Sequence, residues 1–167
     1  YCGRDTAIGD AENALEGAQS ILVERMAEEP QLVGRLRDWL WSDGRIFSKA
    51  ARGKQAEATK FADYFEFQQS IREIPSHRAL ALLRGRNESL LSLRIDIEDT
   101  DSRYHPGAVK VMAQFAIADR GRAADAWLVE AAEAAWKSKL HPALTTSLLA
   151  RVKEKADAAA IDIFKAN

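Results

Sequence analysis

Three histidines, one cysteine and a short run of carboxylates are the residues whose types support catalysis or metal binding. His77, His105 and His141 lie far apart, and no two are spaced i, i+4 on a helix turn, so zinc binding has no local support. Cys2 is the only cysteine, which excludes an internal disulfide framework and a cysteine-based zinc site. His105 and His141 each precede a proline, a spacing that suits a turn or a helix entry. Neither a Gly-rich phosphate loop nor a Gly-x-Ser-x-Gly elbow occurs. Asp96, Glu98, Asp99 and Asp101 form the densest acidic cluster. Alternation puts Asp96 and Glu98 on one strand face, where two carboxylates can hold a metal, but a solvated strand end accounts for them more simply. The tryptophans, Trp39, Trp41, Trp127 and Trp136, can stack on bases, yet in amphipathic helices they belong in or near the core.

The basic residues are less evenly spread. Residues 45–94 carry ten Lys and Arg against five Asp and Glu, an excess of +5. The whole chain is −1, so the remainder sums to −6, and a near-zero total hides a charge dipole along the sequence. Lys49, Arg52 and Lys54 lie at the start of the basic region. Ser76, His77 and Arg78 fall at a predicted helix start, where free N–H groups favour phosphate or carboxylate. Arg84 and Arg86 fall near that helix's other end and can reach phosphates. The alternative is that these arginines pair with carboxylates of the same protein.

Helical periodicity predicts the elements that position these groups. Ala14, Leu15, Ala18, Ile21, Leu22 and Met26 mark an amphipathic helix over 10–28. Pro30 opens a second, with Leu32, Val33, Leu36, Trp39 and Leu40 as its buried stripe and Asp43-Gly44 at its end. Residues 45–56 are ambiguous, and helix resumes through Ala58, Phe61, Ala62 and Phe65. Pro75-Ser76 starts another helix, with Ser76 as cap and Gly85 able to terminate it near Arg86-Asn87. Leu91, Leu93, Ile95 and Ile97 alternate with Ser92, Arg94, Asp96 and Glu98, the one clear strand. Its partner within the chain is the weak candidate around Ile46 to Ala50. After a polar link, residues 107–167 contain 18 Ala, and punctuation at Gly121 and His141-Pro142 divides them into three helices. Their stripes read Val109, Met112 and Ala116; Trp127, Leu128, Ala131 and Ala135; and Leu144, Leu148, Val152, Ala159 and Ile163.

The 167 residues contain 47% hydrophobic and 29% charged residues with only nine Gly and four Pro, a globular, helical composition. No apolar run reaches the roughly 18 residues of a membrane span, and no signal-peptide pattern is present. A lone cysteine fits a reducing cytoplasm. The first residue is not Met, and the stretch from Ala156 to Phe164 reads as helix without a stop signal. The expectation is a piece of a longer protein.

Several strings resemble one family. Lys60-Phe61, Asp63-Tyr64-Phe65, Ile74-Pro75-Ser76-His77-Arg78-Ala79-Leu80-Ala81 and Arg84-Gly85-Arg86-Asn87-Glu88 resemble the N-terminal helical region of the bacterial Tex family of transcription accessory proteins. Gly17-Ala18, Ile21-Leu22, Glu24-Arg25, Ser48-Lys49 and Gly53-Lys54 also fit, and Ala160 to Phe164 resembles the helix leading into that family's YqgF-like domain. The resemblance covers most of 11–98 and returns at the C-terminal end. Departures are Gln55-Ala56 for an acidic run, Ala62 for a basic residue, Gln19-Ser20 for a charged pair and Ser89 for a glycine.

The resemblance implies a cytoplasmic, nucleic-acid-binding protein linked to transcription. It also implies that this region is a non-catalytic scaffold preceding a YqgF-like domain, with no cofactor and no metal. His77, Arg78, Arg84, Arg86 and Asn87 would contact RNA or DNA, or fix neighbouring domains of the same chain. Transcription machinery is a further expected partner, and a membrane is not. The expected fold is mainly α, a multi-helix bundle with one short β element near 90–97. Its expected division is 1–98 and an Ala-rich 99–167. The competing functional expectation is a purely structural or protein-interaction module, and the third is a metal-dependent nuclease built on Asp96 to Asp101.

Overall fold

A computed structural model describes residues 2–98 and 102–166, with side chains from 9–98 and 102–165. Helices α1 (Cys2–Glu28) and α2 (Pro30–Asp43) precede strand β1 (Arg45–Ala50). A 3-10 turn (Thr59–Tyr64), strand β2 (Glu66–Ser70), helix α3 (Ser76–Asn87) and strand β3 (Leu91–Asp96) follow. Helices α4 (Pro106–Gln114) and α5 (Ala123–Ala134), a π-helical turn (Ala135–Leu140) and helix α6 (His141–Ala166) complete the chain. The protein is mainly α, as expected. The β content is larger than one element: β1 is the central strand of a sheet ordered β2-β1-β3, antiparallel throughout.

The chain forms two compact units, each drawn from two stretches: Tyr1–Leu36 with Thr100–Pro142, and Arg37–Asp99 with Ala143–Asn167. The first unit buries Met26, Leu32, Leu36, Val111, Val129, Ala131, Ala132 and Trp136. Its alanines let helices approach closely. Gln19 donates to the Trp127 carbonyl at 3.2 Å. In α1 the burial differs from the expected stripe: Val23 and Met26 are buried, while Leu15 and Ile21 are each 56% exposed. Only the C-terminal half of α1 is packed among the described residues, so periodicity there outruns burial. Val109 and Ile163 are likewise exposed rather than core.

His105 meets Trp136 and His141, some thirty positions further along the chain, in this unit. The His105 ring stacks on Trp136 at 4.9 Å between centroids, and His141 at 5.1 Å. His105 also caps α4, its Nδ1 accepting the Gly107 N–H at 2.9 Å, so the expected helix-entry role holds there. Gly107 has no room for a side chain: a Cβ would lie 2.4 Å from the Trp136 ring. His141-Pro142 is no break. The turn before it widens, and the His141 N–H bonds to Trp136 O, a π-type i to i−5 bond. That widening makes room for a proline ring that would strike the i−4 carbonyl of a regular α-helix.

The start of α5 depends on Asp125, which is buried. It accepts Arg122 Nε and Nη2 at 2.9 Å each, and the N–H groups of Arg120 at 3.1 Å and Arg122 at 3.4 Å. The Arg122 guanidinium, with both backbone donors, holds this carboxyl below its ordinary value of 3.8 against the opposing effect of burial.

The second unit packs Leu40, Ile46, Phe61, Ile71, Leu82, Leu83, Ile95, Leu144, Leu148 and Leu149. Arg151 lies 3.9 Å above the Trp41 ring, and Lys155 donates to the Arg72 carbonyl at 2.9 Å, fixing α6 against the segment before α3. Gly85 does not itself cap α3, which ends at Asn87 as expected: it lies buried in the last turn, where a Cβ would meet the Leu91 side chain at 2.4 Å. Ser76 does not cap either. It is the first helical residue, and extended Pro75 occupies the capping position.

Two helices end with a non-glycine residue in the left-handed region. After α3, Ser89 has φ 59°, Leu90 N–H bonds to Gly85 O at 2.9 Å and Ser89 N–H to Arg86 O at 2.9 Å. After α4, Ala116 has φ 54° with the same pair of bonds to Met112 O and Ala113 O, so α4 ends there rather than at Gly121.

Three outcomes follow from this packing. Ser89→Gly relieves the left-handed strain and raises stability by about 1 kcal/mol in denaturant melts. Gly107→Ala overpacks the Trp136 stack and costs about 1–3 kcal/mol, with a shift in tryptophan emission. Asp125→Asn melts a few degrees below wild type at neutral pH. A depressed carboxyl stabilises the fold above its unfolded-state value and loses that contribution as pH falls through its folded value, so the difference from wild type shrinks below about pH 3.8.

Candidate nucleic-acid interface

Strand β1 presents two unlike faces. Ile46 and Ser48 point inward and are buried, with Ser48 Oγ donating to the Tyr64 carbonyl at 2.7 Å. Arg45, Phe47 and Lys49 therefore point outward. The register sets Ser70, Gln68 and Glu66 beside them on β2, and Asp96, Arg94 and Ser92 on β3. Arg94 sits 4.4 Å above the Phe47 ring and pairs with Asp96 at 2.8 Å, while Arg45 donates to Gln68 Oε1 at 3.1 Å. Lys49 stands opposite Glu66 but forms no ion pair with it. It lines two open hollows, one of about 370 Å³ with Phe47, Glu66 and Gln68, the other of about 580 Å³ with Gln55, Asp63 and Phe65.

The residues singled out from sequence are spread over this same unit but do not converge. Arg52 and Lys54 lie in the turn after β1, where Gly53 takes φ 76°. Arg52 is exposed, and Lys54 pairs with Glu57 at 3.3 Å. His77 and Arg78 open α3, with Arg78 at 5.9 Å over the Phe67 ring and within 3.4 Å of Gln69 Oε1. Arg84, Arg86 and Asn87 close it, roughly 10 Å or more along the axis at about 1.5 Å per residue. Arg84 reaches Glu88 at 3.6 Å and Lys60 reaches it at 2.9 Å. The Lys60 bond chiefly, with Arg84 adding, holds the Glu88 carboxyl below its ordinary value. Cations in the last turn also suit the negative end of the helix dipole. Lys49, Arg52, Arg72, Arg78 and Arg86 have no carboxylate partner among the described residues.

The acidic cluster has a different fate. Asp96 is committed to Arg94 and to the Ile97 N–H, which donates to Oδ1 at 2.8 Å. Asp99 and Asp101 lie outside the described residues. Among the described residues no three His, Cys, Asp or Glu side chains gather closely enough to hold a metal. Trp136 is core, while Trp39, Trp41 and Trp127 are half-buried.

Sequence reasoning did not single out Phe47 or the outward partners of β1. The signal was present as Arg45-x-Phe47-x-Lys49, a basic-aromatic-basic alternation at the strand period. It was hidden because the stretch 45–56 reads ambiguously, with only a weak strand candidate around Ile46 to Ala50.

Comparison with known proteins agrees with the shared strings. A family model described as Tex central region-like matches residues 1–164. Protein tex of Bordetella pertussis is 38% identical over 100% of this chain and 22% of its own length. Transcriptional accessory protein Tex of Neisseria gonorrhoeae is 40% identical, covering 96% of this chain and 21% of its own length. Protein YhgF of Escherichia coli is 34% identical over 100% of this chain and 22% of its own length. The chain thus spans about a fifth of the length of these relatives. With the family model covering almost every residue and identities of this size across the chain, the protein belongs to the Tex family.

Proposed function

We propose that this chain is a non-catalytic, cytoplasmic scaffold region of a transcription accessory protein, and that residues 45–94 give it an auxiliary contact surface for RNA or DNA. The transcriptional role is supported by the Neisseria gonorrhoeae relative, a transcriptional accessory protein. The contact role is carried by one observation: Lys49, Arg52, Arg72, Arg78 and Arg86 belong to one compact unit and lack carboxylate partners among the described residues. Cations left unneutralised on one unit are what phosphate backbones select. The remaining domains of a longer chain and the transcription machinery are its proposed partners. No helix of the described residues is long and apolar enough to cross a membrane.

A second reading, a purely structural or protein-interaction module, is favoured by Arg84 and Lys54, whose charges are met by Glu88 and Glu57. The two readings separate in one titration. A labelled oligonucleotide is bound to the wild-type chain and to the Lys49→Ala, Arg52→Ala, Arg86→Ala triple variant across a salt series. The contact reading expects weaker binding and a salt slope lower by roughly 2 for a single strand. Unchanged affinity and slope would remove these three residues from the interface, and no binding by the wild type would leave the structural reading.

A further inference from the structure

We propose that the outward face of the three-stranded sheet is a stacking platform for single-stranded nucleic acid, centred on Phe47 and Arg94. The proposal rests on the contact reading above and names where and how that contact is made.

Phe47 lies on the central strand, so both neighbours in the sheet flank it: Gln68 on β2 and Arg94 on β3. Its ring is partly exposed, although an aromatic of this size is ordinarily covered. Arg94 lies 4.4 Å over that ring, and its 2.8 Å bond to Asp96 fixes the guanidinium. A benzyl ring and a guanidinium are both flat surfaces on which unpaired bases stack. Around them are hydrogen-bonding side chains: Gln68, Ser70 and Ser92. Lys49 and Arg45 extend along β1 on either side of the ring, about 7 Å away at the strand rise, where a backbone tracking the strand would place phosphates. The carboxylates on this face are Asp96, already paired with Arg94, and Glu66, which faces Lys49 without bonding it. The net charge of the face is therefore small, so stacking supplies more of the affinity than phosphate attraction.

That balance favours a single strand over a duplex. Bases in a duplex have their faces covered by neighbours, and a flat sheet face reaches only the duplex backbone. RNA and DNA single strands share the chemistry, and the 2′-hydroxyl decides between them.

The test is fluorescence anisotropy of the wild-type chain with oligo-uridine RNA, oligo-thymidine DNA and a mixed-sequence duplex at several salt concentrations. Phe47→Ile keeps apolar volume and strand propensity but removes the ring; Phe47→Tyr keeps the ring and controls for the fold. The platform predicts single-strand binding weakened about 5- to 100-fold by Phe47→Ile with an unchanged salt slope, and wild-type affinity for Phe47→Tyr. Lys49→Gln lowers the single-strand slope by about 0.7. Preference for RNA or equal binding to both strands supports the platform and identifies the source. Wild-type affinity in Phe47→Ile, or a wild-type preference for duplex, overturns the platform and leaves the broader contact reading standing. Absence of binding to all three probes at low salt overturns both.

Discussion

Strand β1 is laddered on both edges, and its register cannot slip by one residue without turning Ile46 and Ser48 out to water. The slip would strand the Ser48 hydroxyl away from the Tyr64 carbonyl and bury Arg45, Phe47 and Lys49 in its place. Apolar burial on one face thus dictates the identity of the other. The same register brings Arg94 over Phe47, though 47 positions separate them in the chain. Gly85 and Gly44 permit the close approach of α3 to β3 and the abrupt passage from α2 into β1, so the sheet is held by backbone proximity as much as by side chains.

In the other unit polar side chains set the geometry of helix ends. Asp125 is satisfied by four donors from the turn that precedes it, which makes the start of α5 a defined position rather than a frayed one. His105 does the same for α4 and at the same time lies on Trp136. Because Trp136 also touches His141 and leaves no space at Gly107, two stretches remote in sequence, 105–107 and 136–141, fix one another. Arg122, His105, Ser89 and Ala116 stand where helix-end preferences favour other residues; local bonds hold each of them, and His105 also takes a tertiary contact, its stack on Trp136.

This explains what could be read from sequence. Strand β3 was legible because Leu91, Leu93 and Ile95 alternate with polar residues, and α2 because Leu32, Leu36 and Leu40 repeat at the helix period. β1 was legible only in part, since its inward Ser48 interrupts the apolar alternation. β2 was not legible: Glu66-Phe67-Gln68-Gln69-Ser70 has one apolar residue, as an edge strand with no fully buried side chain permits. The π turn was invisible because its apolar spacing matches that of an α-helix, and Pro142 therefore reads as a break. Of the site, the charge excess in 45–94 was plain, but which cations are spent on carboxylates is a matter of geometry. Arg84 and Arg86 differ by two positions; one meets Glu88 and the other does not.

The proposed scaffold and the proposed contact are two consequences of one arrangement. A mainly α region holds a small sheet whose inner face is a core and whose outer face carries an aromatic ring between cations. The direct measurement is photo-crosslinking of a 4-thiouridine single strand to the wild-type chain, with the linked peptides mapped by mass spectrometry. The account predicts links concentrated on the peptides carrying Phe47 to Lys49 and Arg94. Links confined to the unit containing α4 and α5, or to the last turn of α3, would contradict it.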